Sequence, residues 1–182
     1  MVKRKTSRKE SDMYGMNKSE LRLMPHDPSW ADDFAAESAR IRSAFDDSSI
    51  RIEHVGSTSI PNIYAKPILD IAILCGGKCL ENTANAFIQL GYEYRGRFDD
   101  ENGHFYAVLD RENIRFCQAH IYTEANADWH LKLKFRDVLR ENADLAREYN
   151  DYKLELASRV SNKSEYAEIK TKWVDSFILK VL

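Results

Sequence analysis

The sequence predicts an α+β protein in which one helix precedes a small sheet and helices fill the C-terminal third. Three observations predict this class. A stripe of large apolar residues at helical spacing comes first, short apolar segments follow, and the residues after Asp128 return to helical spacing. With 182 residues, the chain is long enough for a single domain with a complete hydrophobic core.

The first helix is predicted to begin at Asp27 and Pro28, because aspartate caps helices and proline suits the first helical position. Its apolar stripe comprises Trp30, Phe34, Ile41 and Phe45. Residues 1–20 precede this helix, and several lysines and arginines cluster among them. They are predicted to form a flexible basic arm. Residues 21–182 then form one domain.

The middle of the chain is predicted to form the sheet. Five apolar segments indicate strands, at residues 50–55, 67–74, 92–98, 104–109 and 114–122. A helix over residues 80–90 separates the second strand from the third, and Gly91 is placed for its C-terminal cap. Asn102-Gly103 is typical of a hairpin turn. Everything after Asp128 is predicted to be helical.

Bulk composition limits the partners and the location of the protein. Lysine and arginine number 27 against 29 aspartates and glutamates, a net charge of −2, so the overall charge gives no reason to expect nucleic acid or a membrane surface as a partner. No apolar run is long enough to span a membrane, and no apolar stretch follows the basic N-terminus as in a signal peptide. The odd number of cysteines, three, fits reduced thiols. A cytoplasmic location is therefore expected, and the oligomeric state stays open.

A small-residue loop and a nearby carboxylate carry the chemistry. The loop Gly56-Ser57-Thr58-Ser59 follows the first strand, and small residues let backbone N–H groups approach a phosphate. Asp70 interrupts the apolar second strand, where a buried carboxylate is costly unless it has a partner or a function. By alternation, Asp70 lies opposite the core-facing side chains of Leu69, Ile71 and Ile73.

Glu53 and His120 are further candidates for the same site. Glu53 lies one strand before the loop, and His120 shares strand parity with Gln118 on a later strand. Because a nucleotide-bound Mg²⁺ ion prefers oxygen ligands, Asp70 and Glu53 are the candidate metal ligands. A structural role stays open for each residue. Asp70 could form an ion pair with Lys66 or an arginine, Glu53 could be an ordinary edge glutamate, and His120 could be a hydrogen-bonded histidine.

The chain resembles the GrpB family at these residues. Segments 53–61 (EHVGSTSIP) and 65–71 (AKPILDI) are similar to the signature of that family, whose members have the nucleotidyltransferase fold. Segments 26–30 (HDPSW) and 90–96 (LGYEYRG) are similar to two further motifs of the family. Residues 129–140, together with Tyr166 and Lys170, match its C-terminal helices. The resemblance runs from about residue 20 to the end of the chain.

This resemblance implies a nucleotidyltransferase-like small mixed sheet flanked by helices, with a helical C-terminal third. It implies a site in which Gly56, Ser57 and Thr58 cradle a phosphate and Lys66 neutralises it. Asp70 would be the main metal ligand and Glu53 a second, with His120 as an acid, a base or a substrate contact. Of four cations in the helical third, Arg136 and Lys170 match family positions and are predicted to bind phosphate. Arg140 and Lys153 are the other two, and exposed surface charge is the alternative for all four.

The resemblance also shows a departure. Nucleotidyltransferases place Asp-x-Asp on this strand, so that two same-face carboxylates can hold two metal ions, but here Ala72 replaces the second acid. Gln118 replaces the first histidine of a His-x-His pattern that is typical of the family. Three functions stay open: nucleotidyl transfer with Mg²⁺ and a nucleoside triphosphate, binding of a nucleotide or phosphorylated small molecule without turnover, and an interaction protein that uses the basic arm.

Overall fold

The computed structural model describes residues 14–45, 50–75, 80–99 and 103–181. Within these ranges it contains six strands and five helices, which confirms the predicted α+β class, although only five strands were predicted. The strands are β1 (Met16–Asn17), β2 (Arg51–Val55), β3 (Leu69–Leu74), β4 (Glu93–Asp99), β5 (His104–Arg111) and β6 (Ile114–Tyr122). The helices are α1 (Ser29–Ser43), α2 (Leu80–Gln89), α3 (Ala127–Glu141), α4 (Ala143–Arg159) and α5 (Lys163–Val181).

The strands form one mixed sheet in the order β2-β3-β6-β5-β4, and β1 pairs with β6. Strands β3 and β6 run parallel, whereas the other pairs are antiparallel. Asp70 lies opposite Gln118 in this parallel pair, and Ala72 lies opposite His120. Strands β3 and β6 are therefore neighbours, and Asp70 and His120 lie on the same face of the sheet. The mixed sheet and the helical C-terminal third are confirmed.

One face of the sheet carries the main core. Leu69, Ile71 and Ile73 of β3 are buried there with Trp30 of α1 and Phe87 of α2. The predicted alternation along β3 is thus confirmed. The opposite face carries Asp70, and near the end of the sheet a smaller cluster joins it to helix α3 through Trp129 and Tyr122.

The C-terminal helices pack on the segment that follows the Gly56 loop. Ile60 and Ile63 of this segment are buried against Leu139, Tyr149 and Phe177 of helices α3, α4 and α5. Apolar burial of this kind is the main force that holds amphipathic helices in place. The three helices therefore pack beside the loop.

The first described residues belong to the sheet rather than to the predicted arm. Met16 is 1% exposed, and its strand β1 pairs with Arg115 and Ile114 of β6. The ring of Tyr14 packs edge-on against Phe116 at 5.7 Å. Because residues 1–20 are basic in composition, the sequence did not predict that Tyr14 and Met16 pack against the sheet. The most basic part of the predicted arm, residues 1–13, lies outside the described residues, as does Asn102 of the predicted Asn102-Gly103 turn.

None of the helices in the described ranges is long and apolar enough to cross a bilayer.

Candidate functional site

A narrow pocket opens between the Gly56 loop, the start of β3 and helices α4 and α5. We call it the lysine pocket, after Lys66, Lys153 and Lys170, which line it. Its other polar walls are Ser57, Thr58, Asp70 and Gln118. The enclosed space measures about 30 Å³, and about 10–15 Å³ of such space accommodates one water molecule. The pocket thus has room for two or three water-sized groups, such as some of the oxygen atoms of a phosphate.

The backbone of Gly56 fits closely around Asp70. Gly56 has φ +67° and ψ −173°, a conformation that is essentially restricted to glycine. A Cβ atom at this position would lie 2.8 Å from the Cβ of Asp70 and closer still to its Oδ2. Residues Ser57–Ser59 then form a short 3-10 turn. The predicted loop and the predicted carboxylate are therefore in direct contact.

Ser57 is held by helix α4. Its Oγ lies 3.1 Å from the Tyr149 hydroxyl and 3.3 Å from Nζ of Lys153. Tyr149 and Lys153 stand four residues apart, which places both side chains on one face of the helix. Lys153 also donates to the carbonyl oxygen of Tyr64 and lies over the Tyr149 ring, 4.4 Å from its centroid. Ser57 is thus connected to two side chains of α4.

Burial changes the protonation of the lysines. Lys153 is 1% exposed, and burial, together with the charges of Lys170 and Lys66, lowers its pKa to about 6. Burial and the charges of Lys170 and Lys163 lower the pKa of Lys66 to about 8, although Asp70 acts in the opposite direction. The ammonium of Lys66 also lies 4.9 Å from the ring centroid of Tyr166, which lines the pocket. An entering anion would stabilise the charged form of each lysine.

Asp70 is the one carboxylate among the residues that line the pocket. Burial raises the pKa of its carboxyl, and the charges of Lys170 and Lys66 oppose this shift. No ion pair within 4.0 Å joins Asp70 to a lysine or arginine in the described ranges. The alternative of Asp70 in a close structural ion pair is therefore not what the geometry shows. Three lysine side chains and one carboxylate thus line the pocket.

Glu53 and Arg136 bind each other outside the pocket lining. Nη1 of Arg136 donates to Oε2 of Glu53 at 2.9 Å and to the carbonyl oxygen of His54 at 3.0 Å. Nε of Arg136 donates to Asp137 at 2.7 Å. These contacts attach helix α3 to strand β2. The structure thus gives Arg136 a protein partner where the family resemblance implied a phosphate, and it gives Glu53 a cation from the protein itself.

Thr58 and His120 also have protein partners. Oγ1 of Thr58 lies 2.9 Å from Nε2 of His54, whose pKa is lowered to about 3 by burial and by the charges of Arg140 and Arg136. Nδ1 of His120 lies 3.0 Å from Nε2 of His104. Burial and the charge of Lys132 lower the pKa of His120 well below its ordinary value, so this ring is neutral at pH 7. His120 lies on the face of Asp70 but does not line the lysine pocket.

The predicted Mg²⁺ site does not fit these residues. Asp70 lines the pocket without a second acid, because Ala72 is buried and Glu53 is bound to Arg136. Among the described residues, no group of three histidines, cysteines, aspartates or glutamates is arranged to hold a metal ion. Magnesium is usually bound through carboxylates together with other oxygen ligands. The protein groups present here therefore do not form a Mg²⁺ site by themselves.

The structure gathers part of the predicted site into one place. Gly56 borders it through Asp70, and the predicted residues that line the pocket are Ser57, Thr58, Lys66, Asp70 and Lys170. Glu53, His120 and Arg136 lie outside the lining. Sequence reasoning missed Tyr166 as a pocket residue and interpreted Lys153 mainly as an exposed charge. Only its helical spacing from the apolar Tyr149 and Leu156 indicated that Lys153 lies on the buried face of α4.

Comparisons with known proteins identify relatives of this chain. Residues 20–180 match the family described as GrpB protein. UPF0157 protein YqkA of Bacillus subtilis is 31% identical over 167 residues, which are 86% of this chain and 46% of that protein. UPF0157 protein BH1888 of Halalkalibacterium halodurans is 31% identical over 160 residues, 87% of this chain and 80% of that protein. The chain thus spans less than half the length of YqkA.

A solved structure shares the fold. The crystal structure of the conserved protein GrpB from Enterococcus faecalis superposes with a TM-score of 0.76 at 27% identity. The similarity covers 87% of this chain and 98% of the solved one. The family match extends over most of the chain, and the BH1888 match covers most of both proteins. The chain therefore belongs to the GrpB family.

Proposed function

We propose that the lysine pocket binds the phosphate group of a small molecule, with a nucleotide as the leading ligand class. The observation that carries this proposal is the set of three lysines, Lys66, Lys153 and Lys170, around one small pocket. Charge-assisted hydrogen bonds from ammonium groups to phosphate oxygens are among the stronger polar contacts in proteins. The hydroxyl of Ser57 lies beside the same space and offers a further hydrogen bond.

The electrostatics of the pocket favour an anion. Two of its lysines have lowered pKa values because burial makes their charged forms costly. A bound phosphate places negative charge beside Lys66 and Lys153, and this charge favours their protonated forms. The single carboxylate, Asp70, is the one acidic group available to these lysines within the pocket lining. Binding of an anion therefore relieves an unfavourable arrangement of charges.

Calorimetric titration of the purified protein with inorganic phosphate, AMP and ATP tests the proposal. Lys170→Gln removes one ammonium from the pocket and is expected to weaken binding about tenfold or more. Lys172→Gln is the matched control, because Lys172 lies on the same helix, is exposed and pairs with Glu168. Its affinity is expected to stay within twofold of the parent. Equal losses in the two variants, or no binding of any of the three ligands at millimolar concentration, would overturn the proposal.

Nucleotidyl transfer is a second candidate, favoured by the contact between Asp70 and the Gly56 loop. The spacing of 13 positions between Ser57 and Asp70 resembles that of nucleotidyltransferases. The test uses Asp70→Asn with ATP, in the presence of Mg²⁺ or of a chelator. If the lysines alone hold the phosphate, this variant binds ATP more tightly, because a repelling charge is gone.

The opposite result would favour transfer. A loss of ATP affinity in Asp70→Asn that appears only with Mg²⁺, together with labelled product that the parent forms and the variant does not, would establish an enzyme. Tight ATP binding without labelled product in either protein supports binding alone.

A further inference from the structure

An irregularity in strand β4 changes which face its side chains occupy. Tyr94 pairs with Ala107 of β5, but the next pair is Arg97 with Phe105. Strand β4 therefore carries one extra residue at this point, where Gly96 has φ +76°. Such a bulge reverses the alternation of the residues that follow it. A second shift in register follows between Arg97 and Asp99.

Because of these shifts, Phe98 does not share the core face with Tyr94. Its ring lies over the opposite face, with centroids 4.8 Å from His104, 5.6 Å from Tyr106 and 6.4 Å from His120. We call these four rings the aromatic shelf. Phe98 is 64% exposed, so much of its surface is in contact with solvent. Bulges commonly direct a side chain toward a functional site.

The aromatic shelf adjoins the lysine pocket through Gln118. Gln118 lines the pocket, and its Nε2 donates to the hydroxyl of Tyr106. His120 follows Gln118 by two residues on the same face of β6, which separates their Cα atoms by about 7 Å. Gln118 is therefore shared by the lysine pocket and the aromatic shelf, which lie on the same face of the sheet.

The rings beneath Phe98 are fixed in place. His104 and His120 are hydrogen-bonded to each other, and the His104 ring stacks on Tyr122 at 4.5 Å. Nδ1 of His104 also lies 3.5 Å from Oδ2 of Asp128. Phe98 thus rests on a rigid base, and a rigid aromatic surface binds a planar ring with little loss of conformational entropy.

We propose that Phe98 stacks on an aromatic ring of the ligand whose phosphate lies in the lysine pocket, so that the ligand is a nucleotide or another phosphate ester of a planar ring. This inference rests on the proposed phosphate binding and adds the ring as a second recognised group. Two observations carry it: the bulge that directs Phe98 to the face of Asp70, and the Gln118–Tyr106 contact that joins the two surfaces.

The test compares ligands that have a ring with ligands that lack one. Calorimetric titrations use AMP against ribose 5-phosphate, and ATP against tripolyphosphate, on the parent protein and on Phe98→Ala. The parent is expected to prefer the ring-bearing ligand. Phe98→Ala is expected to lose about 5- to 150-fold in affinity for that ligand, the range for stacking of a base on an aromatic side chain. Its affinity for the ligands without a ring stays within twofold.

Two further variants complete the experiment. Phe98→Trp keeps a stacking surface, so it should retain the ring preference, and its added indole fluorescence should be quenched by AMP. Ile88→Ala is the control, because Ile88 is also an exposed apolar residue but lies on helix α2. If ligands with and without a ring bound equally well, and Phe98→Ala changed neither affinity, the stacking proposal would be overturned and the phosphate-binding proposal would not. Absence of binding by all four ligands would overturn both.

Discussion

Gly56 leaves the space that the carboxylate of Asp70 occupies. A Cβ atom on residue 56 would lie 2.8 Å from Cβ and 2.9 Å from Cγ of Asp70, well inside van der Waals contact. The backbone of Gly56, at φ +67°, also disfavours any other residue. One glycine thus sets both the direction of the loop and the position of the carboxylate at the pocket.

Gly56→Ala should therefore destabilise the protein and disturb the pocket. The backbone conformation alone costs about 1–3 kcal/mol for a residue with a side chain, and displacement of Asp70 adds to that cost. Urea unfolding followed by circular dichroism measures the free energy of unfolding, and titration with ATP measures the effect on the pocket.

Gly91→Ala separates these two contributions. Gly91 also has a positive φ, +82°, but a Cβ atom there would meet nothing within 4 Å. It should show the backbone cost without the collision, and its ATP affinity should match that of the parent. If both glycine variants lost the same stability and the same affinity, the contact with Asp70 would have no separate effect.

The loop and Asp70 could be predicted from the sequence because their signals are local. A glycine followed by small polar residues indicates a turn, and a carboxylate within an otherwise apolar strand can be recognised from alternation alone. The partners of Glu53 and Arg136 could not be predicted in this way. They come together across 83 positions, through the packing of α3 on the sheet.

Arg136 and Lys170 should separate stability from binding. Arg136→Gln breaks the contacts with Glu53, Asp137 and the His54 carbonyl oxygen, and we expect a loss of about 1–3 kcal/mol in the free energy of unfolding. Its phosphate affinity should change less than twofold, because the guanidinium does not line the pocket. Lys170→Gln should weaken phosphate binding and leave the free energy of unfolding nearly unchanged.

Denaturant unfolding and calorimetry on the same protein preparations check this separation. A large loss of phosphate affinity in Arg136→Gln, with stability unchanged, would return Arg136 to the phosphate-binding role that the family resemblance implied.

Lys153 shows where composition misleads. A lysine on an amphipathic helix is usually solvated, and only the spacing of Lys153 from Tyr149 and Leu156 indicates otherwise. Its burial depends on Ser57 and the Tyr64 carbonyl oxygen, which lie 96 and 89 positions away. Only the assembled fold brings these acceptors to the ammonium group.

Met16→Ala tests whether the first described residues stabilise the fold. Met16 is almost fully buried beside β6, so its truncation should lower the free energy of unfolding by about 2–5 kcal/mol. Arg22→Ala, at an exposed residue of the following segment, should stay within about 0.5 kcal/mol of the parent. Equal stabilities of the parent and Met16→Ala in urea unfolding would restore the prediction of a flexible arm over these residues.

Phosphate affinity should fall as the pH rises from 7 to 9. The ammonium forms of Lys66 and Lys153 bind the anion, and in the free protein their pKa values are about 8 and about 6. Above each pKa the free protein has lost that proton, so binding must include proton uptake, and each proton taken up weakens the affinity by up to about tenfold per pH unit. The second ionisation of a phosphate monoester, near pH 6, is complete in this range and does not contribute.

Calorimetry with AMP at pH 7, 8 and 9, in two buffers of different ionisation enthalpy, counts the protons directly. Lys66→Gln should make the fall in AMP affinity between pH 8 and 9 less steep, because the Lys66 ammonium, with its pKa of about 8, is gone. Lys172→Gln should follow the parent. An affinity that is constant or rises with pH would mean that neither lysine contacts the anion in its charged form. The charge of the pocket would then have to come from Lys170 alone.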